Sequence, residues 1–120
     1  MVKYKEDSEI LNQAFSALAN PIRREILISL MNGEASVIQL AKPFQMSLPG
    51  ISKHLKVLEK AGLIERSKKA QWRPCKINTK PLEEVNHWLD RCRKIWESRF
   101  DQLDTYLQEI SKKKSNKNSK

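Results

Sequence analysis

The chain has 120 residues, enough for one domain with a modest core. Its 39% hydrophobic and 31% charged content describes a folded, charge-rich chain, and a formal net charge of +9 points to an anionic partner, although five lysines of that excess follow Ser111. Two cysteines exclude a disulfide framework, no apolar run is long enough to span a membrane, and the N-terminal ten residues lack the apolar segment of a secretory signal, so a cytoplasmic protein is expected.

Residues 1–7 are polar and read as a flexible N-terminus. From Ser8 to Ala19 the residues Ile10, Leu11, Ala14, Phe15 and Leu18 keep a helical spacing, with Asp7 or Ser8 as the cap. Asn20-Pro21 breaks the pattern and restarts it, because Asn is a good N-cap and Pro fits the first helical position. Ile22, Ile26, Leu27 and Leu30 form the buried stripe of a second helix, ending near Asn32-Gly33. Arg23 and Arg24 follow its cap and are read as partners in a surface or interhelical ion pair rather than as DNA contacts. Ser36 caps a short third helix carrying Val37, Ile38, Leu40 and Ala41, which Pro43 ends by about Lys42.

After the link Phe44-Gln45-Met46 comes the stretch around which the chain is organised, Ser47 to Glu65. At about 100° per residue, Ile51, Leu55 and Leu58 share one face while Pro49, Ser52, Lys53 and Lys56 lie opposite. Leu48 and His54 flank the apolar face, and His54 reads as a packing histidine that hydrogen-bonds a neighbouring element. Ser47 caps the helix and Gly62 stops it. A short helix, a tight link and a second helix with a small, polar, basic outer face have the spacing of a helix-turn-helix that enters a DNA major groove.

Past Gly62 the period becomes strand-like. Leu63–Arg66 and Trp72–Ile77 read as two strands of a hairpin wing joined through Ser67 to Gln71, with Pro74 unable to donate to a ladder. Pro81 to about Ile110 reads as one long helix. Leu82, Val85, Leu89, Cys92, Trp96, Leu103, Tyr106 and Ile110 alternate in steps of three and four, with Arg99 the exception, and Trp88, Ile95, Phe100 and Leu107 widen the stripe. That much apolar surface exceeds what one small domain covers and implies a second copy. The expected organisation is a domain over residues 8–110 followed by a disordered basic tail over 111–120.

These residues carry a resemblance. ALANPIRREILISL, then ASVIQLAKPFQMSLPGISKHLKVLEKAGLIE and a wing, resemble the ArsR/SmtB family of winged helix-turn-helix repressors from about Ser8 to Ile77. The C-terminal run WLDRCRKIWESRFDQLDTYLQEI is similar to a subgroup without metal ligands, of the SdpR autorepressor type. The resemblance implies a mainly α fold with a small β-hairpin wing and a long C-terminal dimerisation helix. It implies DNA contacts from Ser36, Gln39, Ser47, Pro49, Gly50, Ser52, Lys53, Lys56, Lys68, Lys69 and Arg73. It also implies a homodimer made by the first and last helices through Leu11, Phe15, Leu18, Leu82, Val85, Leu89, Trp96, Leu103, Tyr106 and Ile110. Two departures stand out: the wing turn Lys69-Ala70-Gln71 lacks the usual glycine, and Pro74 occupies a strand position.

Sensor chemistry is sparse. The third helix has no Cys-x-Cys pair, which excludes the thiolate site of metal-sensing relatives, because soft metals need sulfur ligands. Glu83, Glu84, His87 and Asp90 supply one histidine per chain, too little for a zinc site, and no metal or other cofactor is expected. Cys75 and Cys92 read as small buried hydrophobes, with a thiol switch as the competing reading. No Ser/His/Asp set, phosphate-cradling glycine loop or paired-carboxylate cleft appears, so an enzyme is not expected. The expected function is a dimeric repressor on a palindromic DNA operator. The alternatives are a metal- or thiol-responsive version, a winged-helix protein-interaction module, and a protein that coats DNA nonspecifically.

Overall fold

The computed structural model describes residues 2–68 and 72–118. The chain divides into two units, Met1–Val85 and Asn86–Lys120. The first holds α1 (Val2–Leu18), α2 (Pro21–Met31), α3 (Val37–Ala41), a 3-10 turn (Lys42–Phe44), α4 (Leu48–Lys60), strands β1 (Ile64–Arg66) and β2 (Cys75–Ile77), and the start of α5 (Lys80–Asn118).

The helix starts follow local chemistry. The Asn20 side chain accepts the N–H groups of Ile22 and Arg23 at 2.9 and 3.2 Å, and Pro21 follows it. Ser36 and Gln39 form a reciprocal capping box at the start of α3. Ser47 Oγ accepts the Gly50 N–H at 3.2 Å to start α4. Gly62, at φ +75°, ends that helix in the left-handed region that favours glycine.

The core of this unit is built from Ile26, Leu27 and Leu30 of α2, Leu40 and Ala41 of α3, and Ile51, Leu55 and Leu58 of α4. Leu63, Ile64 and Cys75 close it from the hairpin. Leu18 and Leu82, expected at a dimer surface, pack partly buried against this same core and therefore serve the protomer first. Of the apolar residues on the third helix, Ile38 is exposed, because a five-residue helix has only one face against the core and Leu40 and Ala41 occupy it.

The wing is shorter than its sequence suggests. Each strand has three residues, in the register Ile64↔Ile77, Glu65↔Lys76 and Arg66↔Cys75. Trp72 lies outside the ladder. Pro74 contributes only its carbonyl, which accepts the Ser67 N–H at 3.0 Å. On its other side Cys75 exchanges both backbone hydrogen bonds with Ala35, at 2.8 and 3.1 Å.

Both terminal helices run further than apolar periodicity predicts. The backbone of α1 is helical from Val2, within the segment expected to be flexible, and α5 continues through Asn118, into the segment expected to be a disordered tail. Lys and Glu are good helix formers, and adding residues to an existing helix costs far less than nucleating one, so neither end needs an apolar stripe. The second unit is the single helix α5 from Asn86 onward. Arg93 and Asp90 pair on its surface at 3.0 Å.

Candidate nucleic-acid interface

The helix that the sequence singles out has two chemically distinct faces. Ile51, Leu55 and Leu58 are completely buried. On the opposite side Pro49, Lys53 and Lys56 are exposed, with Ser47 exposed at the cap and Gly50 and Ser52 half-buried. The titratable side chains among these residues are Lys53 and Lys56, so they form a positively charged ridge held by the core beneath it. Ser47 spends its hydroxyl on the cap. A Cβ at Gly50 would lie 3.1 Å from Met46 Cε and 3.2 Å from Ser47 Oγ, so these two side chains would have to give by a few tenths of an ångström to admit one.

Leu48, which the sequence places beside the buried stripe, is 47% exposed in the first turn of α4. An exposed leucine among Ser47, Pro49 and Ser52 is suited to contact a thymine methyl group. Sequence reasoning missed it because helical phase puts it near the apolar face, and only the capped first turn lifts it clear of the core. The link that presents this helix is the 3-10 turn followed by Gln45, a non-glycine residue at φ +52°.

The remaining expected contacts distribute unevenly. Ser36 and Gln39 bind one another: the Ser36 N–H donates to Gln39 Oε1 at 2.8 Å, and the Gln39 N–H donates to Ser36 Oγ at 3.2 Å. The Ser36 N–H is thus taken, and the Gln39 side-chain NH2 is the donor left over. Lys68 and Arg73 are exposed at the shoulders of the wing, with Arg73 at φ +42°. Lys69 lies outside the described residues.

Arg23 and Arg24 take a role the sequence did not specify. Among the described residues they form no ion pair; they close the C-terminal carbonyls of α1. Arg24 Nη1 donates to Leu18 O at 2.7 Å, and Arg23 donates to Ala17 O at 2.6 Å and Ser16 O at 3.2 Å. Cations at a helix C-terminus satisfy orphan carbonyls and complement the helix dipole. Arg23 also reaches His54 Nδ1 on α4 at 3.4 Å, which supplies the neighbouring element expected for that histidine. Burial, and then the Arg23 guanidinium, hold the His54 imidazole below its ordinary range. Burial pushes the Cys75 thiol up, against a smaller opposing pull from Arg66. Cys75 is completely buried and Cys92 is partly so, and both are free. Among the described residues no group of three or more His, Cys, Asp or Glu side chains comes together, and no helix is long and apolar enough to cross a membrane.

On α5, Leu89, Trp96, Leu103 and Tyr106 are exposed, as are Ile95, Phe100 and Leu107 beside them. Leu11, Val85 and Ile110 are half-buried, and Phe15 is 38% exposed.

Comparison with known proteins adds the family. Residues 20–66 match the model of the bacterial regulatory protein arsR family. The transcriptional repressor SdpR of Bacillus subtilis is 34% identical over 79 residues, covering 66% of this chain and 88% of that protein. The arsenical resistance operon repressor of Staphylococcus xylosus is 35% identical over 89 residues, covering 74% of this chain and 82% of that one. Among solved structures, an ArsR family transcriptional regulator is 44% identical and superposes with a TM-score of 0.70, covering 76% of this chain and 94% of its own. HlyU from Vibrio cholerae is 28% identical at a TM-score of 0.57, covering 77% of this chain and 97% of its own. With a winged helix-turn-helix that turns a lysine ridge to solvent and relatives matched over most of their own length, this chain belongs to the arsR family of bacterial regulatory proteins and is a DNA-binding transcriptional regulator, not an enzyme.

Proposed function

We propose that two copies of this protein bind a palindromic operator and repress transcription by occupying it, in the cytoplasm where the DNA lies. The observation that carries this reading is the pairing of the two surfaces just described. A basic, polar ridge on α4 lies over a fully buried stripe, and a separate apolar stripe runs along α5. The first fits DNA and the second fits another copy. In this reading Lys53, Ser52 and Leu48 meet base edges, while Lys56, Lys68, Arg73 and the Gln39 amide meet phosphates. The two recognition helices enter successive major grooves, with half-sites about one helical turn apart, roughly 10 base pairs. The repressor role follows the names of the two curated relatives.

Selection of bound fragments from genomic DNA, followed by gel shifts on the selected and the shuffled sequence at physiological salt, tests the proposal. A palindromic consensus bound far more tightly than its shuffled counterpart is expected. Equal shifts on both would make the protein a nonspecific coat, and no shift on either would make it a protein-interaction module.

A further inference from the structure

Arg23 spans three helices at once. It sits in the first turn of α2, where Asn20 caps the helix through the Ile22 and Arg23 N–H groups. Its Nε and Nη2 donate to Ala17 O and Ser16 O in the last turn of α1, and its Nη1 lies 3.4 Å from His54 Nδ1 on α4. A guanidinium has no acceptor, so the contact with the ring requires Nδ1 to be without its proton. His54 lies one turn of helix from Leu58 and adjoins Leu55, both completely buried, and it directly follows the exposed Lys53. The ring is therefore a point at which α4 is tied to α2 and, through Arg23, to the end of α1.

We propose that Arg23 is a positioning residue for DNA binding. It ties the end of α1 to the recognition helix through a neutral His54, so that acid releases the tie and lowers operator affinity. A proton on Nδ1 removes the acceptor and places an imidazolium against a guanidinium held in place by its Nε and Nη2 bonds to α1. The charged group facing the ring from α2 is Arg23. From α1 the cluster receives the Ser16 and Ala17 carbonyls, which do not titrate. On α4 the neighbouring Lys53 is exposed. Among the described residues no carboxylate contributes to the field at His54, so none of them offsets the repulsion once the ring is charged. The ordinary direction for a basic protein on DNA is tighter binding at low pH; this tie works the other way for the specific complex.

The proposal rests on the DNA-binding reading, and its test separates the two. Affinity for the selected operator is measured on the full chain between about pH 7.5 and about pH 5.5, as a ratio to shuffled DNA of the same length. The ratio cancels the general gain in positive charge. It is expected to fall, by less than the roughly tenfold that an imidazole of ordinary pKa about 6.5 would give over this interval, because the His54 ring is held below that value. The variant His54→Asn keeps an acceptor oxygen in place of Nδ1 but cannot titrate, and it is expected to give a flat ratio. A wild-type ratio that does not change with pH, or a His54→Asn profile parallel to it, overturns the proposal. Nuclear magnetic resonance of the His54 ring supplies a readout independent of DNA. The wild-type ring is expected to titrate below the ordinary histidine range, and in Arg23→Gln it moves upward. An unmoved titration overturns the tie, as does a wild-type ring at or above the ordinary value should the variants fail to fold. If no DNA is bound at any pH, the operator reading fails while the ring titration still judges the contact.

Discussion

The outer face of α4 and the apolar face of α5 are both helical and both exposed, yet they are opposite in kind. On α4 the apolar residues point inward to a complete core, and solvent meets lysines. On α5 beyond Asn86 the apolar residues themselves are exposed: Phe100 is 65% and Tyr106 is 60% accessible. The first helix is finished as a structural element, and its exposed chemistry is free to act on a ligand. The second is left incomplete by its own chain. A surface that costs nothing to expose suits a charged partner taken up and released with salt, and one that is costly to expose suits a permanent partner.

The comparison breaks most visibly if the α5 face is charged. Trp96→Glu combined with Leu103→Glu places two carboxylates in an apolar seam, each costing several kcal/mol if desolvated without a partner. Sedimentation is expected to move from a dimer to the 14.0 kDa chain. A wild-type protein already monomeric at micromolar concentration would remove the seam altogether. Next in size is Leu55→Ala beneath the lysine ridge. A fully buried leucine lost to alanine is expected to cost about 2–5 kcal/mol in urea unfolding, whereas Lys53→Ala above it should change unfolding by no more than about 0.5 kcal/mol.

Lys53→Ala sharpens the contrast from the other side. It is expected to weaken operator binding by about 1–3 kcal/mol and to relax specificity at one base pair. Equal weakening on operator and shuffled DNA would assign Lys53 to phosphate. The smallest effect is expected at the wing: Lys68→Ala lowers the slope of log affinity against log salt by about one unit on any sequence. An unchanged slope would remove Lys68 from the interface.

Much of this was legible in the residues themselves. Asn20-Pro21, Ser36, Ser47 and Gly62 each sit where the structure begins or ends a helix, because caps and stops are local chemistry. The stripe Ile51, Leu55, Leu58 and the opposing lysines were equally legible, since helical phase follows from spacing alone. What escaped was what needs two elements at once. Arg23 gives no sign in sequence that its partners are carbonyls of the preceding helix and a histidine 31 positions away. Leu48 flanks the apolar face by period and Ile38 is one of the apolar residues of the third helix, yet both are exposed, because helix length and capping decide how many faces meet the core. The strands came out shorter than their β-like composition, since Pro74 supplies only a carbonyl and Arg73 turns into the left-handed region. The ends of α1 and α5 ran past their apolar stripes because propensity alone carries a helix once it exists.

The exchange of hydrogen bonds between Ala35 and Cys75 has a bearing on solubility. Strands with an open side are templates on which further chains can stack, and proteins guard against this by burying or shortening them. Here β2 is occupied on both sides, by β1 and by Ala35, which leaves β1 as the outer strand with three residues to offer. The hairpin thus leaves little for a neighbouring copy to zip onto.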